Sequence, residues 1–160
     1  MLIRRARETD LSGLNRLLRQ VLEVHHAGRP DLFKGGAKKY TDDELVAILQ
    51  NESTPVFVAV DEKDEMLGYA FCIFIQHKDN NILTDVKTLY IDDLCVDEST
   101  RGTGVGRKLY DHVVAFAKAE GCYNLTLNVW ACNEGARRFY ERLGLVPQKY
   151  GMETILDKNG

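Results

Sequence analysis

The sequence predicts an α/β (α+β) fold, a mixed and mostly antiparallel sheet flanked by helices, built as one domain over residues 1–160. Three observations predict it. Two strand-like runs, 56–60 and 66–75, meet at a charged turn and read as an antiparallel hairpin. A later strand, helix and strand follow one another from residue 86 to residue 129. The chain has 160 residues, 44% of them apolar, which is enough for one core and too apolar for disorder.

The elements follow in order. Residues 2 to 6 alternate loosely and read as an edge strand. Thr9-Asp10 offers an N-cap, and Leu11, Leu14, Leu18, Val21 and Leu22 recur at helical spacing. Pro30 disfavours a helical residue before it, so this helix fades near Gly28 and residues 28–40 form a loop. Thr41 and Glu44 make a capping box for a short helix over Leu45, Ile48 and Leu49. Val56–Val60 is a buried strand, Asp61–Glu65 a hairpin turn, and Met66–Ile75 the return strand. After a polar connection at 77–81, residues 86–96 make another long strand. Val105, Leu109, Val113 and Phe116 mark a helix that Gly121 ends. A strand over 125–129 precedes a helix with Ala136, Phe139, Tyr140 and Leu143 on one stripe, closed by Gly144. Residues 150–156 read as a last strand.

Composition narrows the function. A net charge of -3 argues against a nucleic-acid partner and suits a cationic amine substrate. No apolar run reaches membrane-spanning length and the first residues show no signal peptide, so a cytoplasmic protein is expected. Cys72, Cys95, Cys122 and Cys132 form no C-x-x-C pair and no zinc-spaced cluster with histidine. Reduced packing thiols and no metal site are expected.

The chemistry concentrates between residues 90 and 145. Arg101-Gly102-Thr103-Gly104-Val105-Gly106 joins a strand to a helix. Such a turn leaves backbone N–H groups uncrowded at a helix N-terminus, an anion site suited to a pyrophosphate, and Arg101 and Arg107 add charge. No Gly-Lys-Ser/Thr follows, which excludes a P-loop. The next strand offers only Asn124 and Asn128 where a dinucleotide fold keeps a ribose-binding acid. Taken alone, the glycines fit a structural turn as well as a phosphate cradle.

This run resembles the acetyl-CoA pyrophosphate motif of the GNAT superfamily of N-acetyltransferases. The later stretch Asn133-Glu134-Gly135-Ala136-Arg137-Arg138-Phe139-Tyr140-Glu141-Arg142-Leu143-Gly144-Leu145 is similar to that family's second signature. The resemblance implies a sheet of about seven strands with about four helices, split between the fourth and fifth strands. It implies acetyl-CoA as donor, with Arg101–Arg107 holding its pyrophosphate. The backbone of Leu94, Cys95 and Val96 would pair with its pantetheine arm. Asn133 and, less directly, Arg142 would contact the arm from the other side. Family analogy also makes a homodimer the expected assembly.

Two roles are read for Tyr140. Its helical stripe allows a core aromatic, and the family position makes it the acid that protonates the departing thiolate. Asp92-Asp93 resembles the acidic pair of polyamine acetyltransferases. Neighbouring strand residues face opposite sides, so parity puts Asp92 with Leu94 and Val96 and favours it as base through water, with Asp93 second unless a bulge intervenes. Asn128 stands where N-terminal acetyltransferases carry a glutamate and is assigned to the acceptor. His25 and His26 end the first helix and are candidates for the acceptor wall, whereas His112 reads as an exposed helix residue and His77 as a loop residue. The favoured activity is acetylation of a primary amine of a small molecule or polyamine. The alternatives are a protein N-terminal or lysine acetyltransferase, and a non-catalytic acetyl-CoA-binding module.

Overall fold

The computed structural model describes residues 1–156. Five strands form one sheet in the order β1-β2-β3-β4-β5: β1 Leu2–Arg5, β2 Val56–Val60, β3 Met66–Gln76, β4 Lys87–Val96 and β5 Asn124–Leu127. The first four pair antiparallel, and β5 pairs parallel to β4 from Thr88↔Asn124 to Ile91↔Leu127. Helices α1 Leu11–Gly28, α2 Asp42–Gln50, α3 Val105–Ala119 and α4 Glu134–Arg142 complete the fold. The expected count of about seven strands is corrected to five among the described residues. Residues 150–156, read as a last strand, are irregular there because no neighbouring strand supplies a ladder.

The sheet separates two apolar clusters. Leu14, Leu17 and Leu18 of α1 and Leu45 of α2 pack with Val58, Tyr69, Phe71 and Cys95 on one face. Val105, Leu109, Val113 and Ala117 of α3 pack with Ala59, Ala70, Cys72, Leu89 and Ile91 on the other. Strand β2 is buried along its whole length, which explains its unbroken run of apolar residues.

Caps follow local chemistry with one exception. Thr41 Oγ1 accepts from Glu44 N at 3.1 Å and Glu44 Oε1 accepts from Thr41 N at 3.1 Å, the box read from sequence. Asp10 does not cap α1. Its carboxylate accepts from Arg7 N at 2.7 Å and takes both arms of Arg4, at 2.8 and 2.9 Å. His112 is corrected from exposed to half-buried, its ring edge-on to Phe57 at 5.1 Å.

Cys72 and Cys95 are buried, Cys122 is half-buried, Cys132 is exposed, and all four are free thiols. No helix among the described residues is long and apolar enough to cross a membrane.

Leu14 has no exposed surface, so Leu14→Ala should cost about 2–5 kcal/mol, against about 1 kcal/mol for Thr41→Ala at the exposed cap. Urea unfolding of both variants measures this, and equal losses would contradict the core assignment.

Candidate active site

Strand β4 carries the site because its two edges and two faces change partway along. Its ladder with β3 slips between Phe71 and Cys72: Phe71 faces Asp93, but Cys72 faces Ile91. Asp92 is the extra residue, a bulge. Before it, Leu89 and Ile91 point into the α3 cluster; after it, Cys95 points into the α1 cluster. Asp93 therefore stands beside Tyr69 and Phe71 on the α1 face. The parity that placed Asp92 toward the cleft with Leu94 and Val96 is corrected by this slip, which no single strand's alternation reveals.

The two carboxylates have different surroundings. Asp93 accepts a 2.7 Å hydrogen bond from the Tyr69 hydroxyl, whose ring is fully buried. Burial raises the Asp93 pKa above the ordinary aspartate value, against the Tyr69 hydrogen bond and the charges of Lys39 and His25, which lower it. Asp92 is exposed, with Oδ2 3.6 Å from Lys39 Nζ. Lys39 also lies 5.2 Å from the Tyr40 ring centre.

Loop 28–40 closes over this group. The ring of His25 contacts Phe33 at 4.9 Å, and Phe33 meets the edge of Trp130 at 5.3 Å. Burial lowers the His25 pKa, so its neutral form is favoured, although Asp93 pulls the other way. His26 instead fastens the loop, its Nδ1 lying 2.7 Å from Phe33 O. Asn128 donates to the Tyr90 hydroxyl at 3.2 Å. Trp130, the chain's one tryptophan, carries no motif that a reading of the sequence could single out; only its place just past β5 marks it.

The side assigned to the donor by resemblance lies across β4. Pairing with β5 stops at Ile91, so the edge of Asp92–Val96 on that side has no strand beside it among the described residues. This is the opening expected next to Leu94, Cys95 and Val96. The chain then enters the glycine turn. Gly102 and Gly104 have φ of +81° and +87°, and a Cβ at either would meet nothing within 4 Å. Both conformations favour glycine, and the space beside them is open. Lys108 N makes the first backbone bond of α3, to Gly104 O at 3.1 Å, leaving earlier N–H groups of the turn without a backbone acceptor. These features fit a diphosphate. Arg101 Nε donates to Val96 O at 3.3 Å and Thr103 Oγ1 to Thr100 O, while Arg107 lies 3.7 Å from Asp111 and faces solvent.

Gly106 has a packing reason instead. A Cβ there would stand 3.2 Å from Phe139 Cζ and from Val96 Cγ2. That close approach brings α4 onto the start of α3 and carries Tyr140 to the end of β4. Burial first, then the charge of Asp93, raises the Tyr140 phenol above its ordinary pKa, so it keeps its proton and can donate. Asn133 Oδ1 accepts from Ala136 N at 3.2 Å and caps α4. Arg142 is exposed and forms no ion pair among the described residues.

Known proteins resemble this chain in sequence and in fold. The family model described as the acetyltransferase (GNAT) family matches residues 18–145. A peptidyl-lysine N-acetyltransferase, YjaB, from Salmonella typhimurium is 29% identical over 89% of this chain and 81% of its own. Thialysine N-epsilon-acetyltransferase from Sus scrofa is 27% identical over 90% of this chain and 83% of its own. A crystallised tetramutant of the BH1408 protein from Bacillus halodurans superposes with a TM-score of 0.93 at 36% identity, over 98% of this chain and 100% of that one.

Tyr69→Phe removes the hydrogen bond that holds the Asp93 pKa down. The Asp93 titration followed by carboxyl carbon NMR should move to higher pH in this variant. An unmoved or lowered titration would return Tyr69 to a packing role.

Proposed function

Because the chain belongs to the acetyltransferase (GNAT) family, we propose that it transfers an acetyl group from acetyl-CoA to a primary amine of a small molecule or polyamine, by direct attack within a ternary complex. The observation that carries this reading is that Asp93, an acid whose pKa burial raises, lies on β4 within electrostatic reach of Tyr140, a phenol that keeps its proton. The reaction needs a base for the acceptor and an acid for the leaving thiolate, and Asp93 and Tyr140 suit those two roles.

The donor supplies an activated carbonyl, and the chain's residues move the protons. An acceptor ammonium, with a pKa of about 10.4 if it is like lysine, must first lose a proton. Asp93 takes it, and its raised pKa makes it a better base than an ordinary aspartate. The nitrogen then bonds to the carbonyl carbon as the carbon–sulfur bond breaks. Tyr140 gives its proton to the departing thiolate and is reprotonated by the nitrogen's second proton. Asp92 and Lys39 lie at the acceptor's approach, with His25, Phe33, Asn128 and Trp130 walling it. The glycine turn with Arg101 anchors the donor's diphosphate, and the free edge at Leu94–Val96 receives its arm.

A second reading has one specific support. The YjaB relative is a peptidyl-lysine N-acetyltransferase, and an exposed acidic Asp92 also suits a lysine side chain presented by a protein. The thialysine relative favours the small-molecule reading, since its acceptor is a free amine.

A panel of amines and lysine peptides, assayed by thiol release from acetyl-CoA, tests the reaction and separates the two acceptors. Asp93→Asn should lower turnover on the order of 10²-fold, with the loss shrinking at high pH where free amine forms unaided. The acid limb of the wild-type rate profile should lie above the ordinary aspartate range, because Asp93 must be ionised and its pKa is raised. A larger loss in Asp92→Asn than in Asp93→Asn would move the base to the bulge residue. Tyr140→Phe should cost about tenfold or more in turnover with acetyl-CoA affinity retained, and full turnover would make this residue a packing group.

Gly104→Asp should abolish the heat protection given by acetyl-CoA, since it puts a strained, negative side chain into the anion site. Protection equal to wild type would remove the diphosphate from this turn.

A further inference from the structure

We propose that Lys39 is a self-modification site: its ε-amine accepts an acetyl group within its own chain when no other amine fills the cleft. The inference rests on the proposed function. Two features of the chain support it, and the first is position. Lys39 Nζ lies 3.6 Å from Asp92 Oδ2, and its charge reaches Asp93, the residue proposed as base. Lys38, one residue earlier, turns instead to Asp42 at 3.0 Å. Among the described residues no other lysine forms an ion pair with either aspartate. A primary ammonium beside the acidic pair is the arrangement that an external acceptor has to reproduce, and loop 28–40 supplies one from the chain itself.

The second feature is freedom to move. Residues 34–40 make no backbone–backbone hydrogen bond among the described residues, and Gly36, with φ of +68°, would have nothing within 4 Å of an added Cβ. A stretch of backbone held so lightly shifts at small cost. The loop is fastened before it by His26 and Arg29, and α2 begins after it at Asp42. Lys39 thus rides a short tether between two fixed points, and its flexible stem adds reach. An amine held this way meets the thioester without the entropic cost of a second encounter.

The step is an acyl transfer in which the protons balance. Asp93 takes one proton from the Lys39 ammonium. Nζ then bonds to the carbonyl carbon as the carbon–sulfur bond breaks. Tyr140 gives its proton to the thiolate and takes back the nitrogen's second proton. The products are Nε-acetylated Lys39, the free thiol of coenzyme A, and one proton that Asp93 releases to solvent. The amide carries no charge, so the ion pair with Asp92 is lost and that carboxylate is freed for an external ammonium.

The full chain is incubated with acetyl-CoA and no added amine, then digested and mapped by mass spectrometry. Lys39 should be acetylated before any other lysine, and the fraction labelled per unit time should not change on dilution of the chain. Label spread evenly over the lysines, or a rate that falls with chain concentration, overturns the proposal. Asp93→Asn and Tyr140→Phe should each slow the Lys39 label by about tenfold or more, and an unslowed label marks spontaneous chemistry and overturns it. A donor-free measurement tests the position. After reductive methylation with isotopic formaldehyde, Asp92→Asn should move the NMR signal of Lys39 and leave that of Lys78 in place. An unmoved Lys39 signal removes the side chain from the acidic pair and overturns the proposal. Turnover of the amine panel with Lys39 unlabelled overturns this inference and leaves the proposed function standing, whereas neither turnover nor label overturns both.

Discussion

The bulge at Asp92 is the constraint on which the site depends. A strand with unbroken alternation commits each residue to one face, and β4 must pack against α3 at Leu89 and Ile91 and against α1 at Cys95. One extra residue makes the change of face. It happens one residue after the ladder with β5 ends, so the point where the sheet parts is also where the polar pair appears. The opening, the buried carboxylate and the exposed one are three results of a single slip in register.

The electrostatics follow from that slip. Had Asp93 faced water, no burial would raise its pKa. The bulge instead sends Asp93 against Tyr69 and toward Tyr140, and leaves Asp92 to Lys39. Two identical side chains adjacent in sequence thereby acquire different surroundings, and burial raises the Asp93 pKa. Support comes from the neighbouring layers. Arg16 of α1 donates to the Asp97 carboxylate and to Met66 O, tying that helix to the start of the glycine turn. Burial pushes the Asp97 pKa up, but Arg16 and the Ser99 hydrogen bonds outweigh it and bring it to about 2, so this tie is intact at neutral pH.

What can be read from the sequence is whatever short-range chemistry determines. The Thr41 box, the Val56–Val60 strand, the glycine turn and the Gly144 end of α4 all depend on residues within a few positions of one another, and they stand where the sequence places them. Alternation along β4 groups Asp92 with Leu94 and Val96, and the slip regroups these residues, because register belongs to a pair of strands and one strand alone does not carry it. His25 and His26 are equivalent candidates in sequence, and only packing against Phe33 divides them into a wall residue and a loop fastener. Trp130 stands in an irregular turn whose meaning comes from a contact with Phe33, far away along the chain. The last strand fails for a related reason: alternation predicts a segment's capacity to pair, and no partner strand lies beside it among the described residues.

Loop 28–40 has a consequence for how such a protein can diversify. It is fastened by His26 to Phe33 O and by the Arg29 ion pairs, and it holds Phe33, Lys39 and Tyr40 over a sheet that keeps the acidic pair and the donor turn. Under the proposed function, this wall of the acceptor pocket and the residues that move protons thus lie on separate segments of chain. Changes in loop length or composition alter few core contacts, since surface loops tolerate them at small entropic cost. Under the proposed function, selection can then reshape one wall of the acceptor pocket by rewriting this loop, while the walls from α1 and the chain after β5 stay in place.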